Sequence, residues 1–326
     1  MDPLLTVEHL SVEYLGRDSS VRVVDDVSFE IARGEVLGLA GESGSGKSTI
    51  AQAVLRILAP PAAITGGNVR FESRDIFAMS DAELRAFRWR KASLVFQSAM
   101  NALNPVTTIG EQIADVMLAH GEESGRGAKD RALERAAGLL ELVGIERGRL
   151  NAYPHELSGG MRQRVVIAIA LSLKPPLIIM DEPTTALDVV VQKEILHEIS
   201  ELKQRLGFSI LFITHDLSLM VEVSTRIAIL YAGRLVETAP ARELFERPKH
   251  PYTRGLLEAF PSLHGPKKKL SGIPGSPPDL RSPPSGCRFH PRCPDVLERC
   301  PKEIPLRRPL DERRTVACHL YPGGAS

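Results

Sequence analysis

The sequence predicts an α/β protein with a parallel central sheet and an antiparallel β layer before it. Short apolar runs such as Leu177–Met180 (LIIM) alternate with amphipathic helical stretches, which is typical of a parallel sheet buried on both faces. The opening LTVEHLSVEY alternates apolar and polar residues, and Val23–Ile31 does so again. Both stretches therefore predict half-buried antiparallel strands.

The parallel part begins at Glu35–Ala40 (EVLGLA), a predicted strand that runs into a glycine-rich loop. The residues after Lys47 have helical spacing, and Ser93–Gln97 predicts a further strand. Residues 98–172 are predicted to be mostly helical, with RALERAAGLLELVGI as the clearest amphipathic piece. A helix in QKEILHEISELKQRLG and a strand in SILFITHD complete the alternation.

Composition narrows the class of protein. The chain has 326 residues, and 41 Lys+Arg against 40 Asp+Glu leave a net charge of +1, so we expect no sequence-independent nucleic-acid binding. No run of about 18 apolar residues is present, which argues against a membrane-spanning helix. The N-terminus has no basic region of a secretory signal. We therefore expect a cytosolic chain whose membrane role depends on partner chains.

A phosphate-binding loop is predicted at Gly41–Ser48 (GESGSGKS), because Gly41-x4-Gly46-Lys47-Ser48 satisfies the full P-loop pattern. The glycines, Gly44 among them, let successive backbone amides point at phosphate oxygens, and the following helix adds its positive end. Lys47 supplies a mobile charge for the β- and γ-phosphates, and Ser48 offers a hydroxyl to magnesium. The alternative is a chance glycine-rich turn.

A pair of carboxylates follows the apolar run at residues 177–180. Asp181 stands at the strand tip, where a P-loop hydrolase holds its magnesium, and Glu182 follows directly. A carboxylate beside the metal is well placed to orient and activate a water molecule. The alternative for Glu182 is a solvated loop acid.

Leu157–Arg164 (LSGGMRQR) resembles the signature motif of ATP-binding cassette (ABC) proteins. The resemblance implies a P-loop NTPase (RecA-like) core with an antiparallel β subdomain and an α-helical signature subdomain. It places ATP contacts at Tyr14, Gly41, Ser43, Gly44, Gly46, Lys47, Ser48 and Thr49, and magnesium contacts at Ser48, Gln97 and Asp181. Glu182, the Q-loop residue Gln97 and the switch residue His215 would be catalytic, and Asp188 would mark the D-loop.

The same resemblance implies that the site is completed by another subunit. In the family, signature residues corresponding to Ser158, Gly159 and Gly160 cap the γ-phosphate held by the opposite ATPase subunit. Met161 departs from the glutamine of the consensus, which weakens any side-chain contact there. The expected partners are a second, different ATPase chain, two membrane permeases and an extracytoplasmic binding protein. The chain would then lie at the cytoplasmic face of the membrane.

Residues 248–257 (PKHPYTRGLL) and 272–277 (GIPGSP) resemble segments of oligopeptide/dipeptide permease ATPases. This resemblance implies an importer of peptides, with nickel or another small solute as the alternative cargo. A chromosome-maintenance ATPase would need a long coiled coil after Gln97, and none is present. The expected domains are a nucleotide-binding domain at 1–240, with a helical subdomain near 98–172, and an extension at 241–326 that includes the proline-rich connector Pro261–Pro284.

The cysteines cluster near the C-terminus, at Cys287, Cys293, Cys300 and Cys318. The spacing lacks a Cys-x2-Cys knuckle, which weakens the prediction of structural zinc. Four thiolates are enough for a 4Fe–4S cluster, and relatives with this cysteine set look like binders of one. Zinc held by cysteine with His290 or His319, and free reduced thiols, remain alternatives. A cluster would stabilise a small, irregular terminal module.

Overall fold

The computed structural model describes residues 2–16, 19–96, 102–185, 187–259 and 272–321. It divides the chain into two compact units. The first unit joins residues 1–78 to residues 212–326, and the second comprises residues 79–211. The proline-rich connector predicted for Pro261–Pro284 lies outside the described residues up to position 271, and from 272 to 284 it contains no helix or strand.

The first unit opens with an antiparallel sheet and the strand and helix of the glycine-rich loop. The elements are β1 Leu5–Leu15, β2 Ser20–Ile31, β3 Val36–Ala40, α1 Lys47–Val54, β4 Ala62–Phe71 and β5 Arg74–Asp75. The antiparallel sheet has the order β2-β1-β4-β5, and β1 pairs with both β2 and β4. Leu5, Val7, Leu10 and Val12 of β1 are buried, as the alternation predicts.

The second unit carries a pair of parallel strands and most of the helices. Its elements are α2 Asp81–Phe87, β6 Ala92–Val95, α3 Ile109–Ala119, α4 Ala128–Leu142, α5 Gly159–Leu171, β7 Leu177–Asp181 and α6 Val189–Leu206. β6 and β7 are parallel, and every residue of β7 is buried. Helices α3, α4 and α5 fall within the range 98–172. The chain returns to the first unit through β8 Ser209–Ile213.

The C-terminal part of the first unit continues with α7 Leu217–Val223, β9 Arg226–Tyr231, β10 Arg234–Pro240, α8 Ala241–Glu246, α9 Pro251–Glu258, β11 Arg308–Pro309 and β12 Thr315–Val316. β9 lies parallel to β3 and antiparallel to β10. β10 in turn pairs with β12. The extension therefore adds a short strand beside the sheet that contains β3.

The predicted α/β class with an antiparallel layer is confirmed by this architecture. The region 287–318 is mostly irregular, with one short 3₁₀ turn at His290–Arg292 before β11. Its status as a separate module and the boundary at residue 240 stay predictions. Among the residues that the structure describes, no helix is long and apolar enough to cross a membrane.

Candidate nucleotide site

The glycine-rich loop connects a fully buried strand to a helix. β3 is buried throughout, and α1 begins at Lys47 with Gly46 as its N-cap. Gly46 has φ 103°, and a Cβ there would lie 2.7 Å from the carbonyl oxygen of Val23, so only glycine fits. Gly46 has no side chain to cap the helix, and the first turn therefore keeps its amides available to an anion.

Lys47 folds back over the loop that precedes it. Its Nζ donates to the carbonyl oxygens of Gly41 at 2.8 Å and Glu42 at 2.9 Å, and its side chain is buried with that of Ser45. Ser48 and Thr49 continue the first turn of α1, while Ser43 and Gly44 are exposed in the loop. This geometry can surround a polyphosphate with amides and one ammonium group.

Two further predicted residues lie in the first unit. Tyr14 is partly buried on β1, where it pairs with Val21 of β2 and Ala62 of β4. His215 is exposed in the turn between β8 and α7. Asp216 caps α7 by accepting from the amide of Ser218 at 2.9 Å, which fixes the start of the helix directly after His215.

The predicted carboxylates lie in the second unit. Asp181 ends β7 and is 5% exposed, whereas Glu182 is partly buried and has φ 49°, a left-handed conformation uncommon outside glycine. The hydroxyl of Thr185 donates to Oε2 of Glu182 at 3.0 Å. The carboxylate is thus oriented by its own loop.

The signature segment and the D-loop meet in the second unit. Ser158 caps α5 by accepting from the amide of Met161 at 3.2 Å, and Asp188 caps α6 by accepting from the amides of Val190 and Val191. Both helix starts line one depression of about 390 Å³, together with Gly159 and Gly160. The N-terminus of α5 suits an anionic ligand there, whereas that of α6 is already capped by the Asp188 carboxylate. Gln97 lies outside the described residues.

The cysteines lie near one another without converging on a single point. The amide of Cys287 donates to the carbonyl oxygen of Cys300 at 2.8 Å, and none of the four forms a disulfide. Burial, with a smaller contribution from neighbouring thiols, raises the pKa of Cys287 and of Cys318 to about 11. Over the described ranges, no three Cys, His, Asp or Glu side chains stand close enough together to hold a metal ion.

The positions of the cysteine and histidine side chains bear on the two predicted metal groups, zinc and an iron–sulfur cluster. A zinc ion with Zn–S bonds of about 2.3 Å needs its ligands in direct convergence. His319 is engaged elsewhere, because its Nε2 lies 2.8 Å from the carbonyl oxygen of Glu303, and Nδ1 of His290 lies 2.9 Å from that of Cys287. The arrangement fits a single ion poorly. Four sulfur donors are the ligands that an iron–sulfur cluster would take, but within the described residues they form no group of three that could hold a metal, so the structure supports neither the cluster nor zinc.

One group of loop contacts has no signal in the sequence. Glu42 forms a bidentate ion pair with Arg292, which lies 250 positions later in the chain. Burial alone would lower the pKa of Arg292, but its bonds to Glu42 and Tyr231 raise it above the usual value. The guanidinium therefore stays charged beside the loop. No motif or periodicity could have joined these two positions.

Comparison with known proteins defines the class. The family model described as ABC transporter matches residues 24–185, and the one described as oligopeptide/dipeptide transporter, C-terminal region, matches residues 236–300. A dimeric structure of a post-hydrolysis ATP-binding cassette bound to ADP and phosphate covers 73% of this chain and 99% of its own, with 28% identity and a TM-score of 0.65. The chain is an ATP-hydrolysing subunit of the ABC transporter family.

Curated relatives show which branch of the ABC transporter family this chain belongs to. The dipeptide transport ATP-binding protein DppD of Caldanaerobacter subterraneus subsp. tengcongensis is 42% identical over 325 residues, which is 99% of each chain. The oligopeptide transport ATP-binding protein AppD of Bacillus subtilis (strain 168) is 42% identical over 324 residues, 98% of each chain. The chain belongs to the family of oligopeptide/dipeptide permease ATPases, which confirms the resemblance seen in its motifs.

Proposed function

We propose that this chain hydrolyses ATP to power the import of dipeptides or oligopeptides across the cytoplasmic membrane, working from its cytoplasmic face. The observation that carries the proposal is the P-loop geometry at Gly41–Ser48 in a chain 42% identical, over nearly its whole length, to a dipeptide transport ATP-binding protein. The names of these relatives favour peptide over nickel as cargo.

The proposed reaction is in-line hydrolysis of the γ-phosphate. Glu182 takes a proton from the attacking water, the water oxygen bonds to the γ-phosphorus, and the bond to the β–γ bridging oxygen breaks to give ADP and phosphate. Lys47 holds the phosphates, and His215 contacts the γ-phosphate. Ser48, Gln97 and Asp181 would hold magnesium, since hydroxyl, amide and carboxylate oxygens are the hard donors that this ion prefers, and magnesium would neutralise the developing charge.

The site is proposed to be composite. A second ATPase subunit, expected to be a different chain of the same family, would bind its own nucleotide. The γ-phosphate of that nucleotide would be contacted by Ser158, Gly159 and Gly160 of this chain, with Asp188 beside them. Support comes from the depression at the N-terminus of α5 and from the dimeric state named for the solved cassette. Two membrane permeases and an extracytoplasmic binding protein would complete the assembly. Peptide selection would then rest mainly with those partners.

The test is co-purification of the tagged chain with its membrane partners, followed by ATPase measurements with peptides and the binding protein. We expect di- or oligopeptides to stimulate hydrolysis, and nickel salts to have no such effect. A matched preparation with Lys47→Ala shows how much hydrolysis comes from this subunit. Stimulation by nickel alone, or recovery of the chain without any membrane protein, would refute the proposed transport role.

A second proposal concerns Cys287, Cys293, Cys300 and Cys318, which we propose hold a 4Fe–4S cluster. Four free thiols support it, since Cys287 lies near enough to the other three to interact with them electrostatically. Anaerobic purification with iron and sulfide analysis is the test. About four irons per chain, lost in Cys300→Ser, are expected. A colourless, iron-free protein with four titratable thiols would refute the cluster.

A further inference from the structure

The C-terminal extension makes direct contact with the phosphate-binding loop, and the contacts converge on Glu42. The backbone amide of Glu42 donates to the hydroxyl oxygen of Tyr252 on α9 at 3.0 Å. Its carboxylate accepts from Nη1 of Arg292 at 2.8 Å and from Nη2 at 3.0 Å. All three residues belong to the first unit. The extension therefore holds this loop residue by both its main chain and its side chain.

Arg292 is itself fixed before it reaches Glu42. Its Nε donates to the carbonyl oxygen of Pro274 at 2.9 Å, and Nη1 also reaches the hydroxyl of Tyr231 at 3.3 Å. The arginine side chain is 7% exposed, against 23% for that of Glu42. An arginine held in this way presents a preorganised fork to the carboxylate.

Tyr252 is also held in place, by packing against two other aromatic rings. Tyr231, Tyr252 and Phe289 are each no more than 2% exposed, and their rings pack together. The ring centroids of Tyr231 and Tyr252 lie 4.5 Å apart, and that of Phe289 lies 5.2 and 5.4 Å from them. Tilted aromatic contacts of this kind are favourable and leave little freedom for the rings. The Tyr252 hydroxyl is thus placed by an aromatic cluster that the extension forms together with β9.

Glu42 matters to the loop in two ways. Its carbonyl oxygen accepts from Nζ of Lys47 at 2.9 Å, so the orientation of this peptide group sets where the ammonium rests. Its carboxylate adds a negative charge to a loop shaped for a highly negative triphosphate. Without a neutralising partner, that charge would oppose nucleotide binding over distances within a Debye length.

We propose that Tyr252 and Arg292 are positioning residues for the ATP site, which orient Glu42 and cancel its charge so that the extension sets the nucleotide affinity of the loop. The inference rests on the proposed nucleotide site at Gly41–Ser48. It gives the extension a role in the cassette itself, in addition to any metal its cysteines hold.

The test is a double-mutant cycle on the full chain, with ATP affinity measured by calorimetry for Arg292→Gln, Glu42→Gln and the double variant. Arg292→Gln should weaken ATP binding on the order of tenfold, and high salt should reduce this loss because it screens the partly exposed carboxylate of Glu42. Adding Glu42→Gln should restore affinity, since it removes the repelling charge. A purely structural role predicts no rescue, because Glu42→Gln removes the charge without restoring the contacts that Arg292 made.

Tyr252→Phe tests the main-chain contact separately. It keeps the ring in its aromatic cluster and removes only the acceptor of the Glu42 amide. We expect KM for ATP to rise a few-fold while kcat stays constant, because no group that touches the reacting atoms has changed. An equal fall in kcat with an unchanged KM would overturn the assignment.

Matched controls lie in the same extension. Tyr321→Phe removes a hydroxyl that donates to Lys249, and Arg254→Gln breaks an ion pair with Asp295, so neither should alter ATP affinity. Lys47→Ala separates the two proposals. If it leaves ATP binding intact, the proposed nucleotide site is wrong. If it weakens binding while Arg292→Gln and Tyr252→Phe do not, only the positioning role is wrong.

Discussion

Acid should destabilise this protein through one buried histidine at the start of α9. His250 is 1% exposed, and its Nδ1 accepts from the amide of Tyr252 at 3.0 Å as the cap of the helix. Burial, aided by the nearby charge of Arg254, lowers the pKa of His250 from 6.5 to about 3. A proton on Nδ1 would remove the acceptor of the Tyr252 amide, and it would leave the imidazole ring charged in the protein core.

The direction in which stability changes with pH follows from proton binding in the folded and unfolded states. The unfolded histidine takes up a proton near pH 6.5, whereas the folded one resists until about pH 3, so stability is complete above 6.5 and falls as pH decreases between those values. At pH 5 the loss from this residue is about 2 kcal/mol relative to pH 8. Glu237, whose carboxylate accepts from the His250 amide, has a pKa raised by burial and therefore contributes with the opposite sign.

The assay is urea unfolding of the wild type and His250→Asn at pH 8 and pH 5. Asparagine keeps a helix-capping oxygen but does not titrate. Glu237 contributes to both proteins, so the difference between them isolates the histidine. We expect the variant to be less stable at pH 8 and to lose about 2 kcal/mol less than the wild type on going to pH 5. Equal losses in both proteins would refute the buried, neutral state of His250.

Three further predictions concern other parts of the structure. Gly41→Ala should abolish ATP binding in a fluorescence titration, because a Cβ would lie 2.1 Å from the carbonyl oxygen of Leu230; unchanged affinity would contradict the loop geometry. Asp188→Ala should cost about 1 kcal/mol of unfolding free energy by removing the cap of α6, while Asp188→Asn should cost little. Asp25→Asn should cost about 3 kcal/mol, because the buried carboxylate pairs with Arg234 and Arg288, whereas the exposed Asp26→Asn should stay within about 0.5 kcal/mol.

Much of the fold could be predicted because its signals are local. The alternation in β1 and β2 and the apolar run of β7 each identify a strand from a dozen residues or fewer. β4 is less visible, since Gly66 and Gly67 interrupt its alternation. The structure explains them: Gly67 has φ 85°, and a Cβ there would lie 2.4 Å from the backbone of His9, where the β1–β4 register shifts.

In the candidate site, too, the residues with a local sequence signal could be predicted and those without one could not. Gly41–Ser48, Asp181 and Glu182 follow from motifs, because phosphate and magnesium chemistry demands fixed residue types at short spacing. The hydrogen bonds that Arg292 and Tyr252 form with Glu42 could not be predicted, because they join segments that are far apart in the sequence. The left-handed backbone of Glu182 also has no local sequence signal.

The central claim is that ATP held by this chain is hydrolysed with Glu182 as the base. The direct measurement is ATP affinity and turnover of the assembled transporter carrying Glu182→Gln, with Glu201→Gln on the exposed face of α6 as control. Affinity should stay near that of the wild type, while turnover should fall by about 100-fold or more, and the control should match the wild type in both. Near-normal hydrolysis by Glu182→Gln would contradict the account.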